Sequence, residues 1–236
     1  MIHQLLKPSD DSKVRNRREQ YNSFGLMRVE TCPGRTSGKG GCCCKKNIKS
    51  KIDVCYVDKL LRVRPGIKKV LEHNTKILKK ATPCGKKELL KQMFASFLSK
   101  EYKHGSGNIN FRMHWSGDVF SKDYAMALAQ AMVAFPDINF WMYSRSFKLI
   151  WPLLLVKNLS LYVSCDDCNY QAAAEFMKEN KKGNLCRLNL AYMGESPRTK
   201  AMIPCPVDSG VLDYPGACHN CGICLEGKLP VWFKVR

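Results

Sequence analysis

The sequence predicts an α/β fold: a parallel sheet or partial βα barrel with a cysteine-rich metal-binding C-terminal segment. Two observations carry this reading. From Asn110 onward, strand-like and helix-like hydrophobic periods alternate, with strand starts at 110, 138, 159 and 185, which are 21 to 28 residues apart. That spacing suits right-handed crossovers between parallel strands. Near the C-terminus, Cys205, Cys218, Cys221 and Cys224 form a C-x12-C-x2-C-x2-C array, and Cys205 and Cys218 sit in Pro/Gly-rich loop sequence.

The 236 residues are 45% hydrophobic, enough to fill a core, and they read as a single domain. Within it, 1–110 is a basic N-terminal part with a cysteine loop, 111–204 holds the βα repeats, and 205–236 is the metal-binding tail. In chain order, Ser12 opens a short basic helix over 12–21, and Phe24 to Thr31 reads as a brief strand entering Cys32-Pro33-Gly34. A glycine- and lysine-rich loop follows to Ile48. Pro65 marks a first helical turn, with Ile67, Val70 and Leu71 behind it. Residues 86–102 form a second helix with Leu89, Leu90, Met93, Phe94, Phe97 and Leu98 on one face. Gly105-Ser106-Gly107-Asn108 punctuates the boundary to the second half.

Beyond that boundary the strands are 110–115, 138–143, 159–164 and 185–192. Ser121 caps a helix with Tyr124, Leu128, Met132 and Phe135 on its buried stripe, ended by Pro136. A short helix over 147–156 and another over 171–178 complete the pattern. No apolar run reaches the roughly 18 residues of a membrane span. The N-terminus has no apolar signal region, which points to the reducing cytoplasm of a cell.

Lysine and arginine outnumber aspartate and glutamate by 39 to 20, a net charge of +19. Residues 1–110 carry 25 basic and 9 acidic side chains, whereas 111–236 carry 14 and 11. A field of this sign draws polyanions, so nucleic acid or an anionic host partner is the expected partner class and a membrane is not. Tyr21, Phe24 and Tyr56 lie among the basic residues as candidate stacking groups. Scattered lysines that merely keep the chain soluble are the competing explanation.

Thirteen cysteines in a reducing compartment read as metal ligands with some buried thiols left over. The C-x2-C-x2-C run matches ferredoxin-type iron–sulfur ligation, whereas structural zinc more often uses two separated C-x2-C knuckles. A [4Fe-4S] cluster on Cys205, Cys218, Cys221 and Cys224 is therefore favoured over zinc. Cys32, Cys44 and Cys55 are candidates for a second cluster or for a contribution to the first. Cys165 and Cys168 form a secondary C-x2-C pair, disfavoured as a redox dithiol by Asp166 and Asp167 between them. Cys186, within a strand pattern, reads as a buried small hydrophobe.

Polar strand ends in a parallel βα array collect on one rim. Here His114 and Asp118 are candidate acid/base groups, and Arg145 is a candidate clamp for phosphate or carboxylate. Ser116, Ser144, Ser164 and Asp166 are candidate cofactor-binding groups on the same rim. The competing reading gives Ser116, Asp118 and Ser164 loop and cap hydrogen bonds and pairs Arg145 with Asp118 or Asp166.

The pattern Cys32-Pro33-Gly34, a cysteine among 42–44, Cys55-Tyr56 with Lys59, FRMHWSGDVFS (Phe111 to Ser121), FWMYSRS (Phe140 to Ser146), LYVSCDD (Leu161 to Asp167) and the terminal cysteines resembles the phage gene product 88 family over roughly 28–226. Ten residues separate Cys44 from Cys55, more than is usual in that family, so any of Cys42, Cys43 and Cys44 can be the matching residue. The resemblance implies a phage protein in the host cytoplasm, distantly similar to radical S-adenosylmethionine enzymes. The chain nowhere contains C-x3-C-x2-C, so spacing gives no support to an open iron for S-adenosylmethionine. Three functions follow as expectations: an iron–sulfur protein of redox or structural role, a zinc-stabilised nucleic-acid-binding protein, and a radical enzyme using His114, Asp118 and Arg145.

Overall fold

The computed structural model describes residues 5–15, 17, 19–33, 55–105, 109–180 and 182–234. Cys42, Cys43 and Cys44 lie outside the described residues. The chain is α/β, built on a six-stranded sheet in the order β1-β2-β3-β4-β6-β5 with every pair parallel. Its strands are β1 (Asn110–Met113), β2 (Asn139–Ser144), β3 (Leu159–Cys165), β4 (Arg187–Gly194), β5 (Ile203–Pro204) and β6 (Val231–Lys234). The four long strands fall within two residues of the predicted starts; β5 and β6 flank the cysteine array and were not predicted.

Helices α1 (Arg28–Thr31), α2 (Tyr56–Val63), α3 (Pro65–Lys80) and α4 (Pro83–Lys103) precede the sheet; α5 (Lys122–Val133) and α6 (Tyr170–Glu179) connect its strands. Ser121 caps α5 as expected, accepting the Tyr124 N–H at 3.1 Å. The segment before β3 is a 3-10 helix over Trp151–Leu155 with Pro152 in its first turn.

Two N-terminal expectations are corrected. Residues 12–21 do not continue into a helix: Val14 and Arg15 both donate to the Asp11 carbonyl in a single turn, and Glu19 and Tyr21 have φ of 59° and 50°, which a right-handed helix cannot include. Phe24 to Thr31 is not a strand. Ser23 makes isolated bridges to Ser9 and Arg112, Phe24 and Leu26 donate to the Arg112 and Ser116 carbonyls, and Arg28–Thr31 closes a helical turn. This stretch lies along β1 and covers what would otherwise be a bare sheet edge.

Register divides the sheet into two chemically different faces, because side chains alternate along each strand and partner residues share a side. One face carries Phe111, Met113, Phe140, Met142, Leu159 and Leu161, packed with Leu90, Phe94 and Phe97 of α4 and Tyr124 and Leu128 of α5. Phe94 meets Phe111 edge-on at 5.5 Å and Phe140 at 4.7 Å. The row continues through Val163, Cys165 and Tyr192, on which α6 lies. The opposite face carries Arg112, Trp141, Ser160 and Arg187 in one row and Tyr143, Tyr162 and Asn189 in the next. Aromatic, hydroxyl and cationic groups are an unusual cover for a buried sheet face. They are covered by the C-terminal segment, not by a crossover helix.

Candidate metal centre

The tail crosses this polar face between β5 and β6. It folds into two short helical turns, α7 (Ala217–Cys221) and α8 (Ile223–Glu226), joined at Gly222 and closed at Gly227. Both glycines are left-handed, at φ of 68° and 62°. Gly227 has a second reason to lack a side chain: a Cβ there would lie 2.7 Å from Ser160 Oγ and 2.8 Å from Arg187 Cβ.

Turns this short leave carbonyls without helical partners, and the sheet face supplies donors. Ser160 Oγ donates to the Leu225 carbonyl at 2.6 Å, Tyr162 hydroxyl to those of Leu229 at 3.1 Å and Ile223 at 3.3 Å, and Asn189 Nδ2 to that of Gly227 at 3.2 Å. From the other side the N-terminal stretch holds the first turn: Gly216 and Cys218 donate their N–H groups to the Ser12 and Lys13 carbonyls at 2.7 and 2.8 Å. Cys205 is fixed by its own N–H, which donates to the Trp232 carbonyl at 2.9 Å. The tail thus lies across a face of the sheet.

Cys205, Cys218, Cys221 and Cys224 together line one small pocket, whose other walls include Trp141, Ile223 and Val231. Burial pushes the Cys224 thiol up to about 12, with the charges of Cys205, Cys218 and Cys221 adding and a hydrogen bond from Tyr143 opposing. Burial likewise pushes Cys218 up to about 11, against the pull of Arg112, and raises Cys205. Each of these thiols therefore senses others of the set, and four thiolates here would need a compensating positive charge. Among the described residues, no three His, Cys, Asp or Glu side chains close tightly enough to hold a single metal ion.

Sequence reasoning missed the residues behind the thiols. Tyr143 hydroxyl donates to Cys224 Sγ at 2.9 Å, and the Arg112 guanidinium sits 4.9 Å from the Trp141 ring centre and 3.1 Å from Asp11 Oδ2. The signal was in FWMYS and LYVS. Trp141, Tyr143 and Tyr162 alternate with the aliphatic positions, so they belong to the face the crossover helices do not cover.

The rim residues sit elsewhere and are tied to one another. Asp118 is buried and accepts Ser144 Oγ at 2.6 Å, Arg145 N–H at 2.7 Å and Val119 N–H at 2.7 Å. Arg145 pairs with Asp166 at 2.9 Å, Ser116 Oγ donates to the Leu26 carbonyl, and His114 Nε2 meets the Tyr124 hydroxyl at 2.8 Å. Ser164 is half-buried in β3, on the side of the sheet that carries Ala191. Within the predicted rim, Asp118 is bonded to Ser144 and Arg145, and Arg145 to Asp166, whereas Ser116 bonds the Leu26 carbonyl and His114 bonds Tyr124 with its Nδ1 unpartnered among the described residues.

Of the remaining cysteines, Cys165 and Cys186 are buried and their thiols are pushed up to about 12 by burial, while Cys84 and Cys168 are exposed. Cys32 and Cys55 are half-buried. Phe24 is fully buried and so is not a stacking group for nucleic acid; Tyr21 is exposed. No helix among the described residues is long and apolar enough to cross a membrane.

Comparison with known proteins places these features in a family. The chain is 31% identical over 243 residues to the Gene 88 protein of Mycobacterium phage D29, and 30% identical over 242 residues to the Gene 88 protein of Mycobacterium phage L5; each alignment covers 97% of both proteins. No solved structure matches the chain. The family model described as Gene product 88 matches residues 4–227, a span that includes β1 to β5 and all four clustered cysteines. The chain therefore belongs to the gene product 88 family.

Proposed function

We propose that this phage protein binds a [4Fe-4S] cluster through Cys205, Cys218, Cys221 and Cys224 and works in the cytoplasm of the infected cell. The observation that carries this reading is the gathering of four sequence-distant and sequence-near thiols around one cavity. A mononuclear zinc site would draw its sulfurs to about 2.3 Å from a common point. A cubane spreads its thiolates around a multi-atom core, which suits a ring of thiols bordering a cavity better than a tight tetrahedron. Zinc is the alternative occupant. When bound, the cluster would supply one-electron chemistry or a structural cross-link, and four thiolates leave it coordinatively closed.

The chain's own residues do the rest. Ser160, Tyr162 and Asn189 orient the tail, Gly222 and Gly227 allow its two sharp turns, and Trp141, Ile223 and Val231 line the pocket beside the sulfurs. The consecutive strand order β1-β2-β3-β4, with α4, α5 and α6 against one face, supports the further reading of the sheet as an arc of a βα barrel. A radical S-adenosylmethionine activity would draw on Cys32, Cys44 and Cys55, and cleavage of that cofactor by the reduced protein is its test. Anaerobic purification with iron and acid-labile sulfide analysis tests the main proposal. About four of each per chain is the expected result; a colourless protein with stoichiometric zinc would reject it.

A second reading, binding of nucleic acid, is favoured by α3. Lys68, Lys69, Lys76, Lys79 and Lys80 lie exposed within one stripe of this helix, opposite the buried Leu71, Asn74, Thr75 and Leu78. Glu72 and Glu30 offset part of that charge through Lys68 at 3.7 Å and Lys79 at 3.0 Å. Arg17 is less available, paired at 2.6 Å with buried Glu101. Replacing Lys69, Lys76 and Lys80 by alanine should reduce the slope of log affinity against log salt by about two to three for DNA or RNA. No binding of the unmodified protein at low salt would remove this reading.

A further inference from the structure

We infer that Tyr143 and Arg112 tune the centre for electron uptake, so that it serves as a redox centre and not only as a staple for the tail; this rests on the iron–sulfur reading above. The two tyrosines of the polar face, Tyr162 buried and Tyr143 half-buried, are used differently. Tyr162 spends its hydroxyl on the Ile223 and Leu229 carbonyls, a task of holding the tail in place. Tyr143, its register neighbour, spends its hydroxyl on a sulfur, 2.9 Å from Cys224 Sγ. As packing, its ring would serve equally well as phenylalanine: it lies 5.3 Å from Tyr162, 5.7 Å from Trp141 and 5.8 Å from Phe233.

Arg112 adds a cation on the same face. Its guanidinium stands 4.9 Å from the Trp141 ring centre and 6.0 Å from that of Tyr143, and its charge acts on Cys218 together with Lys13 and against Asp11. Arg112 is also ion-paired with Asp11 of the stretch whose Lys13 carbonyl accepts the Cys218 N–H. The cation is therefore held in place by the same segment that holds the ligand loop. Reduction of an iron–sulfur cluster adds negative charge that spreads onto its ligand sulfurs. A hydroxyl donor on one sulfur and a guanidinium near another stabilise the reduced form more than the oxidised one, which raises the reduction potential. Neither group is needed to pin a tail that Ser160, Tyr162 and Asn189 already pin. Tyr143 and Arg112 are thus positioning residues that act through the ligand sulfurs.

The test is an anaerobic redox titration of the full-length protein, with dithionite as electron donor and electron paramagnetic resonance as readout, on wild type and Tyr143→Phe with iron and sulfide counted in both. The expected result is equal iron content and a lower midpoint potential in Tyr143→Phe. Equal iron with an unchanged or higher potential overturns this inference and leaves the iron–sulfur reading standing; absence of iron in wild type overturns both. If Tyr143→Phe takes up less iron, Arg112→Gln supplies the measurement. A lower potential there supports the inference, and an unchanged one overturns it.

Discussion

On the proposed iron–sulfur reading, the double substitution Cys221→Ala with Cys224→Ala should abolish iron binding and loosen the segment 205–230. Two thiolates would remain, Cys205 just after β5 and Cys218 in α7. Iron per chain should fall from about four to less than about one. Apart from the hydrogen bonds to the sheet face and the N-terminal stretch, the tail's own helices add little order: α7 and α8 are five and four residues long. Helices of one turn do not persist alone in water. Its free energy of folding comes from the sheet-face hydrogen bonds and from whatever the thiols hold. The melting temperature should drop on the order of 5–10 °C, and limited proteolysis should cut within 205–230 at protease concentrations that leave wild type intact. Cys84→Ala and Cys168→Ala, at exposed positions, should change neither iron nor melting. Full iron content in the double variant would show that other cysteines hold the metal.

His114 should make the fold acid-sensitive. It is 5% exposed, its Nδ1 has no hydrogen-bond partner among the described residues, and burial lowers its pKa from 6.5 to about 3. The folded protein thus refuses a proton that the unfolded chain accepts. Stability from this group is fully present above about pH 6.5 and is lost as pH falls toward 3, at about 1.4 kcal/mol per pH unit. Between pH 7 and 5 the loss should be about 2 kcal/mol. Tyr124 and the ring of Phe24 face His114 and carry no charge in this range.

Asp118 works in the opposite sense. Burial raises its pKa against hydrogen bonds from Ser144, Arg145, Val119 and Ser146, so its contribution is present in acid and declines as pH rises through that raised value. A comparison with His114→Asn cancels the Asp118 effect. Asparagine also suits the left-handed backbone at 114, where φ is 52°. Urea unfolding at pH 7, 6 and 5 should show a smaller loss of stability in the variant. Equal losses in the two proteins would mean that His114 is not held neutral by the fold.

The sequence made the parallel sheet legible because its four long strands and their helices obey different hydrophobic periods, and Ser121 announces α5 by its capping chemistry. What it obscured has definite causes. Residues 12–21 look helical by composition, yet Glu19 and Tyr21 have positive φ and the stretch is bonded to α4 through Gln20 and Glu101, contacts between distant residues that no local pattern encodes. The two-residue β5 is too short to carry a period, and β6 gains its place only by pairing with β4 and β5.

The cysteine array was visible as spacing, but its setting was not. Arg112, Trp141, Tyr143 and Tyr162 are scattered over three strands and meet only through register. The rim of His114, Asp118 and Arg145 was found as a cluster, and its internal bonding is a tertiary fact: Asp118 meets Ser144 across 26 residues and Arg145 meets Asp166 across 21.

X-ray absorption at the metal edge of anaerobically purified protein distinguishes the proposed iron–sulfur core on the four thiols of the polar sheet face from a mononuclear metal. The account predicts iron with an all-sulfur first shell and short iron–iron scattering, lost together in the Cys221/Cys224 double alanine variant. Zinc as the bound metal, with a single sulfur shell and no metal–metal scattering, would contradict it.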